Sequence, residues 1–137
     1  MENNLVKIEP NKEKAKSILK MVETTLAMIK TVDDSKFSSN VVKEYYEVIR
    51  ELSSIVLLLD GYKTYGEGSH RKLIEYIEKN YSELSEEEVR LIDDLRILRN
   101  KIAYDGFFVE KDYIKRKIDV IIKILDKLKD IINRKMI

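Results

Sequence analysis

The sequence predicts an all-α fold, an antiparallel up-and-down bundle of four to five helices, on three observations. Apolar residues recur at helical spacing through several long segments. No segment shows the apolar–polar alternation of a half-buried strand, so no sheet is expected. The breaks between periodic segments are short, which turns successive helices back on one another. The length fits one domain, residues 1–137, with a loose polar stretch over residues 1–9.

The elements follow in order. Pro10 suits a first helical turn, and the first helix is expected from there to Val32. Ile18, Leu19, Val22, Leu26 and Ile29 form its inward side. Asp33-Asp34-Ser35 breaks it, and Ser38, Ser39 and Asn40 are cap candidates for the next helix. That second helix, about 37–63, is the most apolar. Val41, Val42, Tyr45, Tyr46, Ile49, Leu52, Ile55, Val56 and Leu59 exceed one narrow stripe, so it should touch several neighbours. Gly61 and the Tyr65-Gly66-Glu67-Gly68 loop end it. Ser69 is expected to cap a short third helix to about Asn80, with Leu73, Ile74 and Ile77 inward.

Ser85-Glu86-Glu87-Glu88 reads as a capping box, and its acidic first turn suits the helix dipole. The fourth helix ends before Gly106 and is expected to be central with the second. Phe107, Phe108 and Val109 form an apolar connector. A last helix has Asp112 in its first turn, with Ile114, Ile118, Ile121, Ile122, Leu125, Leu128 and Ile132 inward.

Composition excludes several functions. Without cysteine there is neither a disulfide nor thiolate chemistry. A single histidine, His70, with no paired carboxylate motif gives no reason to expect a metal or other cofactor. The Gly66-Glu67-Gly68 loop is too short for a phosphate-binding glycine motif, and no strand is expected before it. No stretch approaches the ~18 apolar residues of a membrane span, and no signal peptide is evident, so a cytoplasmic protein is expected. Gln, Cys and Trp are absent while Lys, Glu and Ile dominate, a thermophile-like bias. Net charge is +1, yet residues 111–137 hold nine Lys/Arg against four Asp, a possible RNA face or a solvated one.

The chemistry concentrates in Arg99-Asn100-Lys101-Ile102-Ala103-Tyr104. At ~100° per residue, Leu91, Ile92, Leu95, Leu98 and Ile102 share one arc, and Arg99 falls inside it. A guanidinium there needs a partner, because an unpaired buried charge costs several kcal/mol. It is either a structural ion pair or an anion site; Glu47 and Glu51 are both candidate partners. Arg96, one turn before Asn100, pairs with Asp93 or lines the same groove. Asn100 and Tyr104, four apart, share a face that could meet a sugar or base. His70, at a helix start, has a capping role or joins the site.

Leu95-Arg96-Ile97-Leu98-Arg99-Asn100-Lys101-Ile102-Ala103-Tyr104 resembles the signature helix of the HEPN superfamily, small all-helical domains in which an arginine precedes a histidine by four to six residues. Tyr45-Tyr46-Glu47-Val48-Ile49-Arg50-Glu51-Leu52 through Leu57-Leu58-Leu59-Asp60-Gly61-Tyr62-Lys63 is similar to the family's second helix and the Gly-Tyr-Lys that often closes it. Ser69-His70-Arg71-Lys72-Leu73-Ile74 resembles the stretch opening its next helix. The resemblance covers roughly residues 40–106. It departs at Tyr104, where ribonuclease-type members have histidine, and at Gly106, where they often have tyrosine. Arg-Asn-x-Ile-x-Tyr looks like an archaeal-type variant of the motif.

The resemblance implies a homodimer and an interaction or substrate-binding module. Its implied partner is a minimal nucleotidyltransferase, in a two-component system of toxin–antitoxin type. The alternative it implies is a metal-independent endoribonuclease acting on RNA, with Arg99 steadying phosphate and Tyr104 or His70 replacing the missing imidazole. Catalytic candidates are therefore Arg99 and Tyr104. Phosphate-binding candidates are Arg96, Arg99, Asn100 and His70. Tyrosine is a poor base near neutral pH, since its reference pKa is near 10, so little cleavage is expected from this chain alone.

Overall fold

The computed structural model describes residues 4–137. Five helices carry the fold: α1 (Lys12–Ile29), α2 (Ser38–Asp60), α3 (Ser69–Asn80), α4 (Glu86–Asp105) and α5 (Tyr113–Met136). The all-α helical bundle read from the sequence is thus what the chain forms.

α2 is the hub. It packs against α1, α3, α4 and α5. Its buried residues, Val41, Val42, Tyr46, Val48, Ile49, Leu52, Ser53, Ile55, Val56, Leu57 and Leu58, leave little of its circumference to solvent. The second most embedded helix is α5, not α4 as expected. α5 buries Ile114, Ile121, Ile124, Leu125, Leu128, Ile131 and Ile132, while α4 meets α2 and α3 and touches α5 only sparsely. Ile122, expected inward, is exposed, and Ile124 and Ile131 take its place.

Contacts at both ends set the direction of the helices. Ser38 and Ser39, at the start of α2, meet Val109 just before α5, and Asp60 at the end of α2 meets Lys135 near the end of α5. α2 and α5 therefore run the same way, a correction to the strictly alternating up-and-down order expected, which would oppose them. α4 leads back through the connector to the start of α2 and runs against it.

Local chemistry explains the helix ends. The Ser85 hydroxyl accepts from the Glu88 N–H and the Glu88 carboxylate accepts from the Ser85 N–H, the predicted capping box. Gly61 and Gly106 close α2 and α4 in left-handed conformations. Four sequence expectations are corrected. Pro10 lies outside α1, whose cap is Asn11, the acceptor from the Lys14 N–H. Ser38 and Ser39 cap nothing: the Ser38 hydroxyl donates to the Val109 carbonyl, and the Ser39 hydroxyl accepts from the Val109 N–H. They anchor the buried end of the connector instead. Asp112 is the residue before α5 and makes no capping bond, and Ser69 follows the cap residue Gly68.

The N-terminal segment brings the larger correction. Leu5–Lys7 (β1) pairs antiparallel with Tyr62–Thr64 (β2), so the expected loose stretch and absence of any sheet both fail over the described residues. The Asn4 side chain donates to the carbonyls of Tyr65 and Glu67, and the Ile8 N–H donates to the Gly61 carbonyl. Gly61 is needed twice over: its φ is +89°, and a Cβ there would meet the Ile8 carbonyl oxygen at 3.2 Å. Met1–Asn3, also expected to be loose, lie outside the described residues. Among the described residues no helix is long and apolar enough to cross a membrane.

Candidate functional site

Arg99 lies on the α4 face turned to α2, half-buried, and its partner is Glu47 rather than Glu51. The Arg99 Nε and Glu47 Oε1 are 3.6 Å apart; neither atom reaches solvent and neither makes a hydrogen bond. The other carboxylate oxygen, Oε2, accepts from both Nε and Nη2 of Arg50, at 3.2 and 2.8 Å. One carboxylate thus holds two guanidiniums from two helices. Arg99 Nη1 donates to Asn100 Oδ1 at 3.3 Å. Arg96 Nε donates to Asp93 at 2.9 Å, the local pairing weighed from sequence.

His70, at the start of α3, joins the cluster. Its ring lies against Tyr46 at 6.1 Å between centroids. Burial lowers its pKa, the positive charges of Arg50, Arg99 and Arg96 lower it further, and Glu47 opposes them. His70 is therefore neutral at pH 7, able to accept a proton. The Tyr46 phenol, pushed up to about 12 by burial, stays protonated although the same three arginines pull it down. Glu51 is raised by burial and stands apart from the Arg99 pair.

Three arginines and Glu47, from α2 and α4, thus act together on His70 and the buried Tyr46. With Asp93 paired to Arg96, cationic groups outnumber carboxylates. Such a cluster attracts phosphate, which guanidinium planes bind with paired donors. Arg99, whose Nε has no hydrogen bond, can turn from Glu47 to an incoming anion at the cost of only its long bond to Asn100.

Tyr104 stands outside this cluster. It is 76% exposed, with no hydrogen bond among the described residues. It shares the end of α4 and the following connector with Ile97, Phe107 and Phe108, all exposed, Phe108 to 87%. Beside them lies a groove of about 490 Å³, lined by Ile97, Leu98, Phe107, Val109, Tyr113 and flanking charges.

Arg50 is the residue that sequence reasoning missed. The available signal was its position: a cation on the most apolar helix, three residues after Glu47. The basic C-terminal stretch is partly neutralised, mostly by carboxylates of other elements. Of the nine Lys/Arg in residues 111–137, Arg116, Lys127, Lys129, Arg134 and Lys135 are paired with carboxylates. Among the described residues no group of His, Asp and Glu is placed to hold a metal ion.

Comparison with protein-family models, with curated proteins and with solved structures gives no match.

Proposed function

We propose that this chain is a HEPN-like interaction and substrate-binding module whose arginine cluster binds the phosphate charge of RNA. The observation carrying this reading is the arrangement of Arg50 and Arg99 on Glu47, with Arg96 beside them and all three acting on His70. A purely structural ion pair needs one arginine for one carboxylate, and here two arginines share Glu47. The module works as a homodimer, its second copy covering the apolar end of α4 around Tyr104 and Phe108. Its protein partner is a minimal nucleotidyltransferase in a two-component system of toxin–antitoxin type, a reading that rests on the resemblance of residues 40–106.

One observation favours a second reading, a metal-independent endoribonuclease. His70 is neutral at pH 7 and within the field of Arg99, as a general base for a ribose hydroxyl must be. Tyr104 is less suited to that role within one subunit, being turned to solvent.

RNA binding by the full chain, measured with and without EDTA alongside product analysis, tests both. The module reading expects salt-dependent binding that Arg99→Ala weakens at least about tenfold, with intact RNA recovered. Cleavage in EDTA that His70→Gln abolishes would establish the enzyme instead. RNA affinity unchanged in Arg99→Ala would reject both. Co-purification with the product of an adjacent nucleotidyltransferase gene tests the partner.

A further inference from the structure

The residues just beyond the arginine cluster have a chemistry of their own. A pocket of about 160 Å³ opens between α2, β2 and the start of α3. Arg50, Lys63 and His70 supply its nitrogen groups, Ser54, Thr64 and Ser69 its hydroxyls, and Leu57 and Leu73 its apolar floor. Among the described residues no carboxylate lines it.

Most of these polar groups are unused. Among the described residues the side chains of Ser54, Lys63, Thr64, Ser69 and His70 make no hydrogen bond or ion pair. Arg50 spends Nε and Nη2 on Glu47 and keeps Nη1 without a hydrogen bond. Five polar side chains and one guanidinium nitrogen therefore border one small space, without partners among the described residues and open to solvent. Water can satisfy these groups in the open pocket, and a donor-rich set with no acidic member among the described residues fits an oxyanion.

The backbone supports the same reading. β2, the Gly66-Glu67-Gly68 loop and α3 form a strand–loop–helix unit, which the sequence did not reveal because β2 is three residues long. Gly68 sits at the α3 cap with φ +84°, and no side chain caps the helix. The Ser69 N–H is taken by the Gly66 carbonyl, and no side chain covers the rest of the positive end of this 12-residue helix beside His70. The loop is fixed in place by the Asn4 side chain, bonded to the carbonyls of Tyr65 and Glu67.

Size selects the ligand. A water molecule's share of liquid volume is about 30 Å³. The pocket holds a tetrahedral oxyanion with some water, but not a nucleoside. A phosphodiester needs a way in and a way out, whereas a phosphomonoester enters end-on. We propose that this pocket binds a terminal phosphate monoester, gripped by Lys63, Arg50, His70 and the hydroxyls of Ser54, Thr64 and Ser69. The ester belongs either to a free nucleotide or to a 5′-phosphorylated RNA end. The RNA case rests on the proposed function, since a strand end seated here places its next phosphates toward Arg99 and Arg96.

Calorimetric titration of the full chain with AMP and with adenosine tests the pocket alone. AMP should bind at least about tenfold more tightly than adenosine, and Lys63→Ala should remove the difference. Lys63 is exposed, so this variant folds; Thr64→Val, which removes one hydroxyl, should weaken AMP severalfold. Paired oligoribonucleotides with 5′-phosphate and 5′-hydroxyl ends identify the source. A preference of about tenfold for the phosphorylated end, lost in Lys63→Ala but retained in Arg99→Ala at lower overall affinity, assigns the pocket to RNA ends. AMP binding with no end preference assigns it to free nucleotides. If neither AMP nor the phosphorylated oligonucleotide gains over its partner, or Lys63→Ala leaves the gain intact, the proposal is overturned. Failure of the 5′-hydroxyl oligonucleotide to bind at all would count against the RNA reading and leave the AMP result to decide the pocket.

Discussion

Arg99 Nε and Glu47 Oε1 face each other at 3.6 Å, both shut off from water and neither in a hydrogen bond. Arg50 has taken the other oxygen of the same carboxylate at 2.8 Å. Glu47 therefore holds one arginine firmly and the other by charge alone, which leaves Arg99 the more available of the two to an outside anion.

Glu47→Gln should separate the two functions of this carboxylate. The amide keeps the shape but strands two half-buried guanidiniums. Stability should fall by about 1–2 kcal/mol, less than for a fully buried pair because both partners retain some solvent. Phosphate or RNA affinity should rise severalfold, since the internal competitor for Arg99 is gone. Thermal melts and binding isotherms at one salt concentration check both. A variant that is less stable and binds more weakly would mean that Glu47 positions the arginines for the ligand.

The apolar end of α4 leads to a different expectation. Tyr104→Phe should leave monomer stability within about 0.5 kcal/mol, because the ring is largely in solvent. Phe108→Glu should do the same to the fold while converting a dimer to monomer in light scattering at micromolar concentration. Wild-type protein that is already monomeric would remove the second copy from the proposal.

The sequence disclosed what periodicity and caps encode. The helices of Leu52, Leu95 and Leu128 were legible because burial on one face leaves a 3.6-residue trace, and Ser85 with Glu88 wrote a capping box in adjacent letters. β1 and β2 left no such trace: at three residues each they are too short to alternate, and their partners lie more than fifty positions apart. Arg99 was legible as a misplaced charge. Its companions were not: the choice of Glu47 over Glu51, the approach of His70 and the role of Arg50 depend on how α2, α3 and α4 cross. The free serine at position 69 was concealed by the assumption that it capped α3, a task that falls to Gly68.

Asp60 should prove the most sensitive polar position outside the site. Its Oδ2 accepts from the hydroxyls of Tyr76 and Tyr81, and its Oδ1 pairs with Lys135, so one side chain ties the ends of α2, α3 and α5 together. Burial, and then the bond to Asp60, raise both phenols well above their ordinary range, which keeps them donors at any physiological pH. Asp60→Ala should cost about 2–4 kcal/mol, because it strands three partners at once. Tyr81→Phe should cost only about 1 kcal/mol. Equal losses in denaturant melts would show that the phenol bonds, not the carboxylate, carry the joint.

Acid should destabilise the fold in two steps, and the sign follows from each group. His70 has a folded pKa below its ordinary 6.5, chiefly from burial and then from Arg50, so the unfolded chain takes up its proton first. Its contribution is complete above pH 6.5 and declines as pH falls through the folded value. The facing charges that set this value are Arg50 and Glu47 on α2 and Arg96 and Arg99 on α4. Glu88 acts lower. Burial pushes its carboxyl up, but Lys127, at 2.8 Å, and the Ser85 N–H outweigh that and hold it below its ordinary 4.5. Its contribution is present above pH 4.5 and lost as pH falls through the folded value. Denaturant melts from pH 8 to pH 3 should therefore decline gently first and steeply later. His70→Gln should flatten the upper part alone. Glu88→Gln, which keeps a side-chain acceptor for the Ser85 N–H, should lower stability at neutral pH and flatten the lower part. A bound phosphate monoester would favour protonated His70 and shift its step upward, so an upper step unmoved by saturating AMP would place His70 outside the pocket.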